Sequence, residues 1–344
     1  IPLNELSSES WIVSSGVEFN IRKQIENVGI PIKNWDIDIN RGLLTGRDEA
    51  FIIPRSKRDE LIAEDPKSAE IIKPLLRGRD IKRYKTEYAD LWIINSHNGY
   101  GNIPPVDVPR DYPAIWKHLQ KVNTDSDGAV ERRQDQGRHW SNLRNCAYVP
   151  NFEKEKICWG NLAITAQFAL VEAGMYISAP SPLITPASKY MLAVLNSTLG
   201  DYYIHTLGVT RSGGFMEYKP MFVENLPIPQ IPTSAQLPYE YLVDCILLAV
   251  NKGMINEVAT FEWVVNVMVY GLYFEGEMKK ANCYINDLVA KVEKPFTPKD
   301  SDQFKTEYVQ KLNQFFLKDK EIYHGLVHSR TVKPVEIIHG AMKK

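Results

Sequence analysis

No run of 18 apolar residues occurs in this 344-residue chain, so no transmembrane helix is expected. The opening Ile1-Pro2-Leu3-Asn4-Glu5-Leu6 lacks an initiator Met and lacks the basic-then-apolar order of a signal peptide. A processed chain, or a piece of a longer polypeptide, is expected. Cysteine is scarce. Cys146, Cys158, Cys245 and Cys283 form no C-x-x-C pair and match no zinc spacing, which predicts reduced, buried thiols in a cytosolic protein. Charge of one sign is also missing. With 41 basic against 42 acidic side chains the net charge is −1, whereas phosphate binding usually shows as a basic balance. A nucleic-acid surface would have to come from local clusters.

Catalytic signatures are absent too. There is no G-x-x-x-x-G-K-[ST] phosphate loop, no G-x-G-x-x-G after a strand and no G-x-S-x-G elbow. His324 and His328 have the i, i+4 spacing of a zinc helix, but Glu321 lies outside the pair, so they read as solvent-facing helix residues. The [DNS]-P-P-[YFW] motif of N6-adenine methyltransferases is missing. Glu153-Lys154-Glu155-Lys156 and Glu217-Tyr218-Lys219 set carboxylates beside lysines, the groups a metal-dependent nuclease needs. Such short clusters arise by chance, but they keep a self-contained nuclease open as an alternative.

What is present reads as an α+β chain. Trp35, Ile37 and Ile39 alternate with polar residues, and Ala50-Phe51-Ile52-Ile53 follows after two glycine turns, which predicts a hairpin or two-strand corner. A helix is expected over 56–74 with Leu61, Ile62, Ile71 and Ile72 inward. A buried strand is expected at Leu91–Asn95, and a helix from Tyr112 to Val122 entered through Pro113. Residues 123–138 are polar and read as a long surface loop or disordered insert. Strands resume near Ile157-Cys158-Trp159, a hairpin is expected over 167–178, and one helix over 187–206. Trp35, Trp92 and Trp159 read as core. Prolines 227, 229, 232 and 238 mark a boundary. Beyond it Val258, Phe261, Val265, Met268 and Leu272 form a helical stripe, and 240–252, 277–292 and 303–318 look helical. The reading is a mixed sheet with helices over 1–235, then a small all-helical domain over 236–344.

The positive chemistry is basic. Arg77, Arg79, Lys82, Arg83 and Lys85 surround Tyr84. Arg132, Arg133, Arg138 and Arg144 accompany Trp140. Arg211 opens the loop Ser212-Gly213-Gly214 that Lys219 closes. Guanidinium forks suit guanine O6 and N7 and phosphate oxygens. Solvated faces with internal ion pairs are the bland alternative.

Several segments, in order, resemble the TaqI-like target recognition domain. Gly29-Ile30-Pro31-Ile32 and the stretch Ile39 to Ile53, containing Thr45-Gly46-Arg47-Asp48-Glu49-Ala50-Phe51, are similar to its opening G-I-x-T-G-x-N-x-A-F-x-I. Leu75 to Tyr84 resembles L-x-G-x-D-I-x-x-Y, and Tyr112 to Leu119 resembles Y-P-x-x-x-x-x-L. Trp140 and Arg144 stand where the family has tryptophan then arginine. Lys156-Ile157 precedes the central strands, Leu195-Asn196-Ser197 matches L-N-S, and Leu226-Pro227-Ile228-Pro229 is the closing L-P-I-P. Val269-Tyr270-Gly271-Leu272-Tyr273-Phe274 resembles a helix of long single-chain type II restriction–modification enzymes. Asp48 where the pattern has asparagine, and the insert at 123–138, are departures.

The resemblance implies the C-terminal specificity module of a bacterial, cytoplasmic restriction–modification enzyme that reads double-stranded DNA and does no chemistry itself. Methyltransferase and nuclease domains of the same polypeptide would supply catalysis, with S-adenosylmethionine and Mg2+ as cofactors there and none in this chain. Phosphate positioning is expected mainly from Arg77, Arg79, Lys82 and Arg83, and Arg47 and Arg144 are also expected to bind DNA. Base reading is expected from Arg132, Arg133, Arg138, Arg211, Ser212, Gly213 and Gly214. Leu195-Asn196-Ser197 is expected to pack and cap rather than touch DNA. The tail braces the reading domain or docks on the methyltransferase. A protein-interaction module without DNA binding remains the rival that suits the −1 charge best.

Overall fold

Alternation of side chains along the central strands divides the protein's interior into two cores. The computed structural model describes residues 16–293 and 295–343; the opening residues read above, through residue 15, lie outside them. One sheet has the order Phe168–Val171, Lys156–Trp159, Pro182–Thr185, Asp38–Arg41 and is antiparallel throughout. The other has the order Tyr176–Ile177, Ile72–Leu76, Leu91–Ile94, Ile52–Pro54, with its first pair parallel. In the first sheet Ile157, Trp159, Phe168 and Ile184 enter a core shared with helices, while Cys158, Ala169, Val171 and Leu183 enter a core shared with the second sheet. Successive side chains point to opposite faces of a strand, so covering both faces demands apolar residues at every position. Lys156–Trp159 and Pro182–Thr185 are accordingly buried along their whole length.

The helical tail belongs to the first of these cores. The helix Ile255–Tyr273 carries the expected stripe, yet Val264, Val267, Val269, Tyr270 and Tyr273 are buried as well, so it is enclosed on nearly all sides. It packs on Thr233–Asn251, which packs in turn on Lys189–Leu195 beside the sheet. Polar ties cross residue 235: Thr198 N donates to Asn266 Oδ1 at 2.6 Å and the Tyr273 hydroxyl donates to Pro227 O at 2.6 Å. Asp302–Lys318, Lys320–His328 and Lys333–Ala341 complete the tail. His324 and His328 lie against each other, rings tilted and 4.4 Å apart, on its exposed face.

The structure narrows one local expectation and differs from three. Of the hairpin or two-strand corner expected over 28–53, the hairpin does not form: residues 38–41 and 52–54 join different sheets, as the strands of a corner do. The chain between them is held to the 177–181 segment, with Gly42 N donating to Ser181 O at 2.7 Å and Leu43 N to Ile177 O at 2.8 Å. The two arms of the 167–178 segment separate the same way, Phe168–Val171 to one sheet and Tyr176–Ile177 to the other. Tyr176 is drawn off by stacking on Phe152 at 4.9 Å. The helix expected over 56–74 ends at Glu64, two residues before Pro66, which has no N–H to continue it; Ile72 then starts a strand. The 187–206 helix is two helices, Lys189–Leu195 and Thr198–Leu207.

That break shows what Leu195-Asn196-Ser197 does. Ser197 Oγ accepts from Gly200 N at 3.0 Å and caps the second helix. The Asn196 carboxamide takes Phe168 N at 3.0 Å and gives to Phe168 O at 2.9 Å, joining helix to sheet. These residues pack and cap, as expected. Trp159 is core, whereas Trp35 and Trp92 are half-buried at its margins.

Candidate functional site

A series of loops runs along one connected band of the two sheets. The 129–135 loop meets the turn at Gly46, whose backbone (φ +69°) lies against Arg133 and Asp135. Residues 42–43 hydrogen-bond to 177–181, and Ser178 N donates to Leu76 O at 2.9 Å. Gly78 then crosses Gly160 and Ser181; a Cβ on Gly78 would stand 2.6 Å from Ser181 Oγ, so a larger residue would force Ser181 to move. Beyond Gly160, Leu162–Ala163 pairs with Met216–Glu217 in a ribbon. Arg211 to Phe215 forms its tip, with Gly213 at φ +79° and Gly214 at φ +78°. The segments that carry three basic clusters far apart in sequence are thus linked by a continuous series of contacts.

The arginines within the band are of two kinds. Arg132 keeps 67% of its side chain exposed; Arg47, Arg79, Arg138, Arg144 and Arg211 are also exposed, and Lys82 and Lys219 half-exposed. Arg79, Lys82 and Arg138 have no ion-pair partner among the described residues. Arg47 meets Glu49 at 3.2 Å and Arg144 meets Asp135 at 3.1 Å. Exposed pairs of this kind contribute only about 0–1 kcal/mol, so a phosphate can replace the carboxylate at little cost.

Arg77, Arg83 and Arg133 are engaged by partners within the chain. Arg77 grips the buried Asp80 bidentately, both bonds 2.9 Å. Burial opposes ionisation of Asp80, but the Arg77 fork and backbone N–H outweigh it and hold the carboxyl below its usual range. Arg83 pairs with Glu262 on the tail helix and donates to Ala166 O at 3.3 Å. Arg133 is only 5% exposed. It donates to the carbonyls of Val130 (2.9 Å), Asp135 (3.1 Å), Trp140 (2.5 Å) and Asn142 (2.6 Å), and lies over the Phe51 ring at 4.5 Å. Burial lowers its pKa to about 10, so it stays protonated at neutral pH. With Val130 fully buried, it turns the polar 123–138 segment into a pinned loop rather than a disordered insert.

The two acidic–lysine clusters are likewise occupied. Lys156 is buried, its ammonium donating to the carbonyls of Phe152, Lys154 and Glu172 at 2.7–2.9 Å. Glu217 is clamped between Lys219 Nζ at 2.8 Å and Arg211 Nη2 at 2.5 Å, which together hold its carboxyl low. It orients the two cations that flank the ribbon tip. Two features escaped the sequence reading. Exposed Leu162, Ile164, Val209 and Phe215 give the ribbon an apolar flank, and buried Asp201 and Tyr218 form a polar knot with half-buried His205 at its root. Only Glu217-x-Lys219 left a trace in sequence, where its spacing pointed to metal chemistry instead of an ion-paired clamp.

Residues 73–228 match the family model of the TaqI-like C-terminal specificity domain, a span that includes the Leu75–Tyr84 segment but not residues 29–53. No curated protein matches the chain. Among solved structures, the Type IIL restriction-modification enzyme MmeI, in complex with DNA, is similar over 90% of this chain and 36% of its own, at 14% identity and TM-score 0.47. The type IIG restriction endonuclease BpuSI is similar over 76% of this chain and 34% of its own, at 14% identity and TM-score 0.43. The chain thus spans about a third of the length of either enzyme. No helix among the described residues is long and apolar enough to cross a membrane.

Proposed function

We propose, from the premise that residues 73–228 form a TaqI-like C-terminal specificity domain, that the chain reads a short duplex DNA site for a restriction–modification enzyme. The observation that supports the proposal is that exposed arginines from three separate sequence clusters stand on segments joined by one continuous series of contacts. Arg79, Lys82, Arg144 and Lys219 hold phosphates, with Arg47 beside them. Arg132, Arg138, Arg211 and the Ser212-Gly213-Gly214 tip reach base edges. Arg77, Arg83 and Arg133 hold the loops that carry them.

A module of this kind keeps the duplex in register while an adenine is extruded toward a catalytic domain. Methyltransferase and nuclease domains of the same bacterial, cytoplasmic polypeptide perform the chemistry. S-adenosylmethionine is the methyl donor and Mg2+ the cleavage cofactor in those domains.

Selection of the purified chain on a randomised duplex library at two salt concentrations tests the reading. Enrichment of one short motif is expected, with a log–log salt slope of about −3 to −4 if roughly half of the exposed cations meet phosphates. Absence of binding at low salt would overturn it and favour a protein-docking module.

A further inference from the structure

A chain of polar contacts runs from the tail helix to the ribbon. The Glu262 carboxylate accepts from Arg83 Nε, and Arg83 Nη1 donates to Ala166 O at 3.3 Å. Ala166 N donates to Asp201 Oδ1 at 3.1 Å. The Tyr218 hydroxyl donates to the same Asp201 oxygen, with His205 Nε2 3.0 Å from that hydroxyl. Tyr218 adjoins Glu217, which clamps Arg211 and Lys219. Ala166, Asp201, Glu217 and Tyr218 are all buried.

We infer that Glu262, on the helix Ile255–Tyr273, is a positioning residue for the 209–219 ribbon, so that the helical tail helps to set which DNA site is read. The inference rests on the DNA-reading proposal above. Glu262 and Arg83 are partly exposed, but Ala166, Asp201 and Tyr218 beyond them are buried with few alternative partners, so a change that reaches Ala166 is passed on. Asp201 is the next anion within electrostatic reach of Arg83. Once Glu262 loses its charge, the Arg83 guanidinium is drawn toward Asp201 and competes with Tyr218 for that carboxylate. The root of the ribbon shifts, and Arg211 and Lys219 shift with it. Glu262 touches no DNA in this scheme.

The test uses the full chain, labelled with 5-fluorotryptophan. Trp159 Nε1 donates to Tyr218 O at 2.6 Å, so its fluorine resonance, assigned with Trp159→Phe, reports the ribbon root. Glu262→Gln is expected to move that resonance in the DNA-free protein. It is also expected to lower the preference for the enriched duplex over a scrambled one by about fivefold. Arg83→Lys, which keeps a cation between Glu262 and Ala166 O, restrains the loss. Asp302→Asn, which removes an exposed tail ion pair with Lys252, changes neither readout. An unmoved Trp159 resonance in Glu262→Gln, or equal effects from Asp302→Asn, overturns the inference. If the wild-type chain selects no duplex, the DNA-reading proposal fails, and the fluorine shift alone decides whether tail and ribbon are coupled.

Discussion

Arg132 and Arg133 are adjacent and chemically identical, yet Arg133 is buried among backbone carbonyls while Arg132 is exposed. Arg133→Ala removes four hydrogen bonds from a charged donor to the carbonyls of residues 130, 135, 140 and 142. Taken singly, such bonds contribute about 1.5–3 kcal/mol each, so a rigid loop would lose roughly 6–12 kcal/mol. The loop is not rigid. Once the guanidinium is gone, water reaches the outer carbonyls and much of that loss is recovered. A net destabilisation of about 3–5 kcal/mol is expected, at the upper end for single substitutions. Contact with the Phe51 ring adds to the cost of removing the cation. Arg132→Ala strips a side chain that is two-thirds exposed, and is expected to leave stability within about 0.5 kcal/mol. Its effect falls on DNA: about 1–3 kcal/mol of site discrimination if it reads a base. Urea unfolding followed by circular dichroism, with duplex binding on the same samples, separates the two. If Arg133→Ala is as stable as wild type, or Arg132→Ala is equally destabilised, the division into scaffold and reading arginines is wrong.

Asp80 has its pKa lowered in the folded chain, so its contribution is present above the unfolded carboxylate value near pH 4 and is lost as pH falls through the folded value. Arg77→Met is expected to cost about 3 kcal/mol at neutral pH and to flatten the acid limb of a stability–pH curve below about pH 4; an unchanged limb would contradict the pairing. Asn196→Ala takes the carboxamide from Phe168 N and leaves Phe168 O with Tyr84 N alone, and is expected to cost about 1–2 kcal/mol, with Ser197→Ala costing about 1 kcal/mol. Both variants keep the DNA site preference, and a changed preference without lost stability would show that this segment does more than pack and cap. Glu217→Gln frees Arg211 and Lys219 from their clamp; anisotropy titrations at two salt concentrations are expected to show about threefold tighter binding to scrambled duplex and a steeper salt dependence. Unchanged binding would remove Glu217 and its cations from the interface.

Much of the local structure is legible in the residues. The strand at Leu91–Ile94, the helix entered through Pro113 and the stripe from Val258 to Leu272 follow from periodicity and punctuation, which report the face a residue buries within its own element. The hairpins failed because turn residues show where a chain bends, not which strand it meets next. Residues 38–41 pair with 182–185 across more than half the reading segment, and no local pattern records that.

The site divides the same way. Three basic clusters and a helical tail are legible in the sequence, and the order of motifs carries the resemblance to a specificity domain, because residue type and spacing hold that information. Which arginines remain free was decided only by the folded chain. Arg77 met a buried carboxylate three residues on, Arg83 met Glu262 far along the chain, and Arg133 met four carbonyls of its own loop. A guanidinium has the same formula at every position, whereas its counter-ion and its exposure are properties of the tertiary fold.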